Sequence, residues 1–111
     1  MYRQGYYKIH KTKDVRKGDI EMSTIKVEQF ITRGGRAAAN QYIIHNGEET
    51  IFQSYNTIIA KKDKKGKIFL DVNYWDYSTT TGRYRNDFLG EGIAQTRDKI
   101  KSGEYRLIDL N

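Results

Sequence analysis

Alternation of apolar and polar side chains marks the first regular element of the chain. Ile25, Val27 and Ile31 lie on one face of the segment 24–32, and this period of two predicts a β-strand. The next four residues, Arg33-Gly34-Gly35-Arg36, must end the strand because paired glycines are typical of turns. The patterned part of the chain therefore begins with a strand that runs into a turn.

Four more extended segments are predicted to form two hairpins. Residues 41–45 and 50–55 are separated by Asn46-Gly47, a dipeptide favoured in type I′ turns because both positions need positive φ. Residues 57–60 and 67–72 are separated by a lysine-rich loop. Consecutive hairpins predict a sheet with antiparallel pairing.

Helical spacing replaces the alternation towards the C-terminus. Ser78 is a favourable N-cap residue and Gly90 a favourable stop, so a helix is predicted between them with Phe88 on its buried side. A second helix is predicted over residues 92–102, and a short strand over 105–108 follows it. The inner face of the second helix is predicted to carry Ile93, Arg97 and Ile100.

This order of elements predicts an α+β fold. We expect an antiparallel sheet of about five to six strands built from hairpins, with two short helices near the C-terminus. Large apolar residues at the periodic positions are predicted to supply the core: Tyr55, Phe69, Trp75, Phe88, Ile93 and Leu107.

The first 21 residues have a weaker pattern than the rest of the chain. They contain six basic and three acidic residues, and their apolar groups follow neither a helical nor a strand period clearly. Met22 precedes the first clear strand. We therefore predict a basic N-terminal extension, residues 1–21, and a single α+β domain, residues 22–111, with the extension as an optional leader or the result of an upstream start choice.

Charge and cysteine content narrow the classes of function. The formal net charge of the 111 residues is +6, which favours polyanionic partners such as DNA, RNA or a nucleoprotein. The chain has no cysteine, so thiolate catalysis and disulfides are excluded. It has no long apolar run, and we expect a cytoplasmic protein without a membrane partner.

The residues that carry catalysis or bind metals are sparse. His10 and His45 are far apart in the sequence, and neither is accompanied by a nucleophile or a metal-ligand spacing. The carboxylate pairs Glu48-Glu49 and Asp71/Asp76 fall in a turn and at strand ends, where solubilising or capping roles are common. We therefore predict no enzyme activity, no cofactor and no metal site.

Clustered cations are the stronger candidates for a binding site. They fall in the double-glycine turn, in the lysine-rich loop and at the start of the first helix, and each cluster also fits an ordinary solvated surface. The predicted binding residues are Arg33, Arg36, Lys61, Lys62, Lys64, Lys65, Lys67, Arg83 and Arg85.

Several short stretches carry a resemblance to a known group of proteins: Asn40–Tyr42, Phe52–Ala60, Trp75–Thr81, Tyr84–Asn86, Phe88–Glu91 and Leu107–Asn111. Over residues 40–111 the chain resembles a family of small uncharacterised proteins from phages and plasmids of Gram-positive bacteria. The resemblance implies a mobile-element protein that acts in the cytoplasm of a bacterial host. It supplies no catalytic residues.

Two functions follow as expectations. The first is a non-enzymatic inhibitor of host defence, such as an anti-CRISPR protein that binds a type II effector nuclease. The second is a basic accessory protein that binds DNA or RNA in phage replication or transcription. The partner is expected to be a host nucleoprotein effector or a nucleic acid, and the sequence leaves the oligomeric state open.

Overall fold

One mixed sheet dominates the structure, a computed structural model that describes residues 6–8 and 24–111. Within these residues, seven strands form the sheet and two helices pack on one of its faces. The elements, in chain order, are β1 Tyr6–Lys8, β2 Thr24–Ile31, β3 Ala37–Asn46, β4 Glu49–Ser54, β5 Thr57–Lys62, β6 Ile68–Asp71, α1 Thr79–Leu89, α2 Ile93–Ser102 and β7 Arg106–Ile108.

The strands lie in the sheet in the same order as in the sequence. Each neighbouring pair from β1 to β6 is antiparallel, and β7 pairs with β6 in parallel after the chain has passed through both helices. The predicted α+β class and the antiparallel hairpins are confirmed. β1 falls in the predicted extension, where it pairs with the first residues of β2, and the rest of residues 1–21 lies outside the described residues.

A bulge in β5 changes the side-chain alternation at the centre of the sheet. Phe52 of β4 pairs with Ala60, but the next residue, Gln53, pairs with Ile58. Ile59 is the extra residue, and it is buried together with its neighbour Ala60. The bulge therefore directs two consecutive side chains into the core, which a regular strand cannot do.

Both helices begin and end close to the positions that the sequence predicts. The hydroxyl oxygen of Ser78 accepts a hydrogen bond from the amide of Thr81 at 3.0 Å, and α1 stops at Gly90, whose φ is 73°. α2 stops in the same way at Gly103, whose φ is 87°. Glycine adopts this left-handed conformation without a steric penalty, and the predicted helix boundaries are confirmed within a residue.

The core lies between the helices and one face of the sheet. Its aromatic centre joins Phe52 of β4 to Phe88 of α1, with ring centroids 5.8 Å apart, and Phe30 of β2 to Tyr84 of α1 at the same distance. The buried apolar members of this core are Phe30, Ala38, Phe52, Ile59, Ala60, Ile68, Leu70 and Tyr105.

The predicted core is partly wrong. Phe88 and Trp75 pack against the core as expected, but Tyr55 is 55% exposed because it lies in the turn after β4, and Leu107 is 37% exposed on the short strand β7. Phe69 is half-buried on the opposite face of the sheet, since its neighbour Leu70 points into the core.

The inner face of α2 also differs from the prediction. Thr96 is its fully buried residue and Ile100 packs against the core, whereas Arg97 is largely exposed and Ile93 is only half-buried outside the core. The helix is rotated relative to the predicted face because the Thr96 hydroxyl donates to the carboxylate of Glu91 at 2.6 Å. The polar bond, rather than an apolar stripe, sets which side faces inward.

Candidate binding surfaces

The double-glycine turn between β2 and β3 presents two exposed arginines. The amide of Gly35 donates to the Thr32 carbonyl at 2.8 Å, and the φ of Gly35 is 87°. The amide of Arg33 donates to the carboxylate of Asp87 at 3.2 Å, which ties the turn to α1. Arg33 and Arg36 are therefore held on a well-defined turn with their side chains in solvent.

Asp63 organises the lysine-rich turn between β5 and β6. Its Oδ1 accepts hydrogen bonds from the amides of Lys65 and Lys67, both at 2.9 Å, and its carbonyl accepts from the amide of Gly66. The bond from the Lys67 amide, followed by that from Lys65, outweighs desolvation and lowers the pKa of Asp63 below its usual value. The turn is thus fixed by its own carboxylate, with the lysines on its outside.

Two of the five predicted lysines are paired with glutamates of the neighbouring β3–β4 turn. Lys61 Nζ lies 3.4 Å from the carboxylate of Glu49, and Lys64 Nζ lies 3.6 Å from that of Glu48. Lys61 also lies over the ring of Phe69. The other three, Lys62, Lys65 and Lys67, are exposed and form no ion pair with the residues that the structure describes. We call residues 62–67 the lysine turn.

The two cationic turns lie at opposite ends of the sheet. The double-glycine turn, residues 33–36, which we call the arginine turn, follows the Ile31 end of β2. The lysine turn follows the end of β5, where Lys62 pairs with Thr50 of β4 and Thr50 pairs with His45 of β3. A strand rises roughly 3.3 Å per residue, so the eight residues of β2 separate the ends by a distance on the order of 25 Å. The structure does not bring the predicted cations into one patch.

Arg85 does not lie on the solvent face of α1, where it was predicted. Its side chain is 2% exposed. Nη1 donates to the Trp75 carbonyl at 2.8 Å and contacts Asp76 at 3.3 Å, and Nη2 donates to the Asn86 side chain at 2.9 Å. The guanidinium therefore bonds the loop before α1 through Trp75 and Asp76, and it bonds its own helix through Asn86. Arg83, two residues earlier, is exposed.

A bridge between the two helices was not anticipated from the sequence. Asp76 accepts from Arg85 of α1 through Oδ1 and from Arg97 of α2 through Oδ2, the latter at 3.2 Å. The three residues belong to three consecutive elements, the loop before α1 and the two helices. No spacing signal could have indicated this cluster before the packing of the helices was known.

The remaining titratable candidates have structural surroundings. Asp71 is fully buried and accepts from the amides of Asn73, Tyr74 and Leu110. Burial alone raises the pKa of Asp71, but these hydrogen bonds outweigh it and the net pKa is lowered. His45 lies 3.5 Å from Glu28 on the surface, and His10 is outside the described residues. In the described part of the chain, no three His, Asp or Glu side chains converge as metal ligands.

A shallow cleft lies on the sheet face opposite the helices. It has a volume of about 460 Å³ and is lined by apolar side chains of β2 and β3, among them Val27 and Ile44, together with Gln53. Asn40 and Tyr55 at its rim have left-handed backbone conformations, with φ of 63° and 56°. The Tyr55 amide donates to the Asn40 carbonyl at 2.7 Å, so the rim is held by a backbone bond.

Comparison with known proteins identifies a family but no function. None of the helices in the described residues is long and apolar enough to cross a membrane. No curated protein and no solved structure matches the chain. The match to a family of unknown function covers residues 25–105, from the second residue of β2 to the last residue before β7. The chain therefore belongs to the family of unknown function DUF8033.

Proposed function

We propose that the protein acts by binding a host complex that contains nucleic acid, without catalysis. Its most concrete form is an inhibitor of host defence, such as an anti-CRISPR protein directed at a type II effector nuclease. The observation that carries the proposal is the lysine turn, which presents Lys62, Lys65 and Lys67 on a turn fixed by Asp63.

A fixed cationic turn is well suited to a phosphate backbone. Each lysine that approaches a phosphate releases condensed counterions, which favours binding at low salt. The internal hydrogen bonds of Asp63 hold the turn before a ligand arrives, so less conformational entropy is lost on binding. The Asp63 carboxylate accepts hydrogen bonds from backbone amides of the turn, and the side chains of the three lysines remain exposed.

The second candidate is an accessory protein that binds bare DNA or RNA in phage replication or transcription. The arginine turn favours it, because Arg33 and Arg36 place a second exposed cationic group at the other end of the sheet. A flexible strand of nucleic acid can contact both cationic turns at once, whereas a compact acidic surface of a protein would contact only one of them.

The test measures affinity for duplex DNA, single-stranded DNA, RNA and a purified type II CRISPR effector at two salt concentrations. The variant Lys65→Glu/Lys67→Glu should weaken binding and reduce the slope of log affinity against log salt by about 1.4–1.8, the value for two phosphate contacts. The matched control, Lys101→Glu/Arg106→Glu, makes the same change in net charge at exposed positions outside the turn and should bind nearly as well as the parent.

The four ligands separate the two candidates. Tight binding to the effector that survives nuclease treatment supports the inhibitor. Salt-sensitive binding to bare nucleic acid alone supports the accessory protein. Absence of binding to all four ligands, or equal losses in the turn variant and its control, would refute the proposal.

A further inference from the structure

A second cationic site lies in a groove at the start of α1. The groove has a volume of about 460 Å³ and lies between the loop before α1, the first turns of α1 and the beginning of α2. Three arginines line it, Arg83 and Arg85 of α1 and Arg97 of α2, with the carboxylate of Asp76 among them. The cations outnumber the carboxylate, and we call this site the arginine groove.

The beginning of α1 adds further positive potential to the groove. The first amides of a helix have no acceptor within it, and Ser78 satisfies only that of Thr81, which leaves Thr79 and Thr80. The first turn of α1 contains no acidic residue that would offset the helix dipole. Ser78 and Thr79 both line the groove, so the part of the helix that attracts anions forms one of its walls.

Arg85 lines the groove, and its guanidinium already bonds the loop before α1. The residue is almost completely buried, and its Nε has no hydrogen-bond partner among the described residues. Its other guanidinium nitrogens lie close to Gly82: a Cβ atom at that position would be 3.5 Å from Nη2 and 3.6 Å from Nη1. Because residue 82 has no side chain, the groove wall beside this guanidinium is bare.

Exposed tyrosine side chains beside the arginine groove indicate which class of molecule would carry an anion bound there. Tyr77 lines the groove and is 47% exposed, and its ring meets that of Tyr74 edge to face at 5.4 Å. An exposed aromatic ring beside a phosphate site is the combination that holds single-stranded nucleic acid, since bases stack on aromatic rings while cations hold the backbone.

We propose that the arginine groove binds a phosphate of single-stranded nucleic acid, with an adjacent base stacked on Tyr77. This inference rests on the proposed function, because it names the chemistry of the partner, but it assigns that chemistry to a surface separate from the lysine turn. The phosphate lies at the start of α1 beside Gly82, within reach of Arg83 and Arg97.

The decisive variant is Gly82→Ala, which keeps every charge of the protein. The added methyl group makes ordinary van der Waals contact with Arg85, and alanine favours a helix interior over glycine, so the variant should fold at least as well as the parent. It should reduce the affinity for a short oligothymidylate on the order of tenfold, because the methyl group takes up space beside Gly82 that the phosphate needs. Arg97→Gln should give a similar loss, and the control Lys101→Gln should give none.

Backbone NMR of the parent locates the site directly. Titration with the oligonucleotide should shift the amide signals of Thr79 and Thr80, and inorganic phosphate should shift the same signals more weakly. If the oligonucleotide binds, and Lys65→Glu/Lys67→Glu weakens it while Gly82→Ala and Arg97→Gln do not, the arginine groove is refuted and the proposed function stands. If neither the oligonucleotide nor the effector binds, both are refuted.

Discussion

At the scale of single residues, Glu91 joins the loop between the two helices to α2 and to the residue before β7. Its side chain is 5% exposed, and its oxygens accept from Lys99 Nζ at 2.7 Å, the Thr96 hydroxyl at 2.6 Å and the Tyr105 hydroxyl at 3.0 Å. Burial by itself raises the pKa of Glu91, but the hydrogen bonds, led by that from Lys99, outweigh it and lower the net pKa. The ionised carboxylate is therefore the form that the fold stabilises.

The first residue-scale prediction concerns Glu91→Gln and pH. Since the folded pKa of Glu91 is lowered, its contribution is fully present above the unfolded pKa, about 4.3, and is lost as pH falls through the folded value. At pH 7 the substitution should reduce the free energy of unfolding by about 1.5–3 kcal/mol, the value of a hydrogen bond to a charged group. Urea unfolding should show this difference shrinking as the pH falls below the unfolded pKa. A difference that stays constant with pH would contradict the assignment.

The strands, helices and turns were predicted well where a short sequence signal decides them, and poorly where packing in the folded chain decides them. Alternation placed β2, and glycine placed the turn after it, because each depends on a few adjacent residues. The end of β4 was missed, since Tyr55 carries no turn signal and still adopts a positive φ. The candidate binding residues show the same difference. Arg33 and Arg36 lie on the predicted turn, because a local signal decides that turn. The burial of Arg85 was not predicted, because it depends on a contact with the loop before α1 that forms only in the folded chain.

The N-cap of α1 provides a prediction at the scale of an element. Ser78→Ala removes the acceptor of the Thr81 amide and should reduce the free energy of unfolding by about 1 kcal/mol, which lowers the Tm of a domain this size by about 5 °C. Ser78→Asp is the matched control, because it keeps an acceptor and adds a charge that the helix dipole favours. Thermal unfolding that lowers the Tm equally in both variants would mean that the cap is not the cause.

At the scale of the whole molecule, one core serves both helices and the sheet. The buried apolar residues that form this core run from Phe30 to Tyr105, and the family match spans nearly the same residues. The strand β1 contributes three pairings to the edge of β2. All of these core residues follow the predicted extension in the sequence.

We therefore expect a chain that begins at Met22 to fold by itself. The pairs between β1 and β2 would be lost, but the contacts between the sheet and the helices would remain. Urea unfolding followed by circular dichroism should show one cooperative transition with a midpoint close to that of the full chain. A broad transition, or loss of the aromatic signal in the near ultraviolet, would show that residues 1–21 complete the core.

The parallel pairing of β7 with β6 has a consequence for the order of folding events. The hairpins from β2 to β6 close over short loops, whereas β7 meets β6 only after the chain has passed through α1 and α2. Chain entropy makes so distant a contact slow to form, and local pairings precede it. We therefore expect β7 to pair with β6 late in folding. A substitution that weakens this pairing should increase the unfolding rate more than it decreases the folding rate.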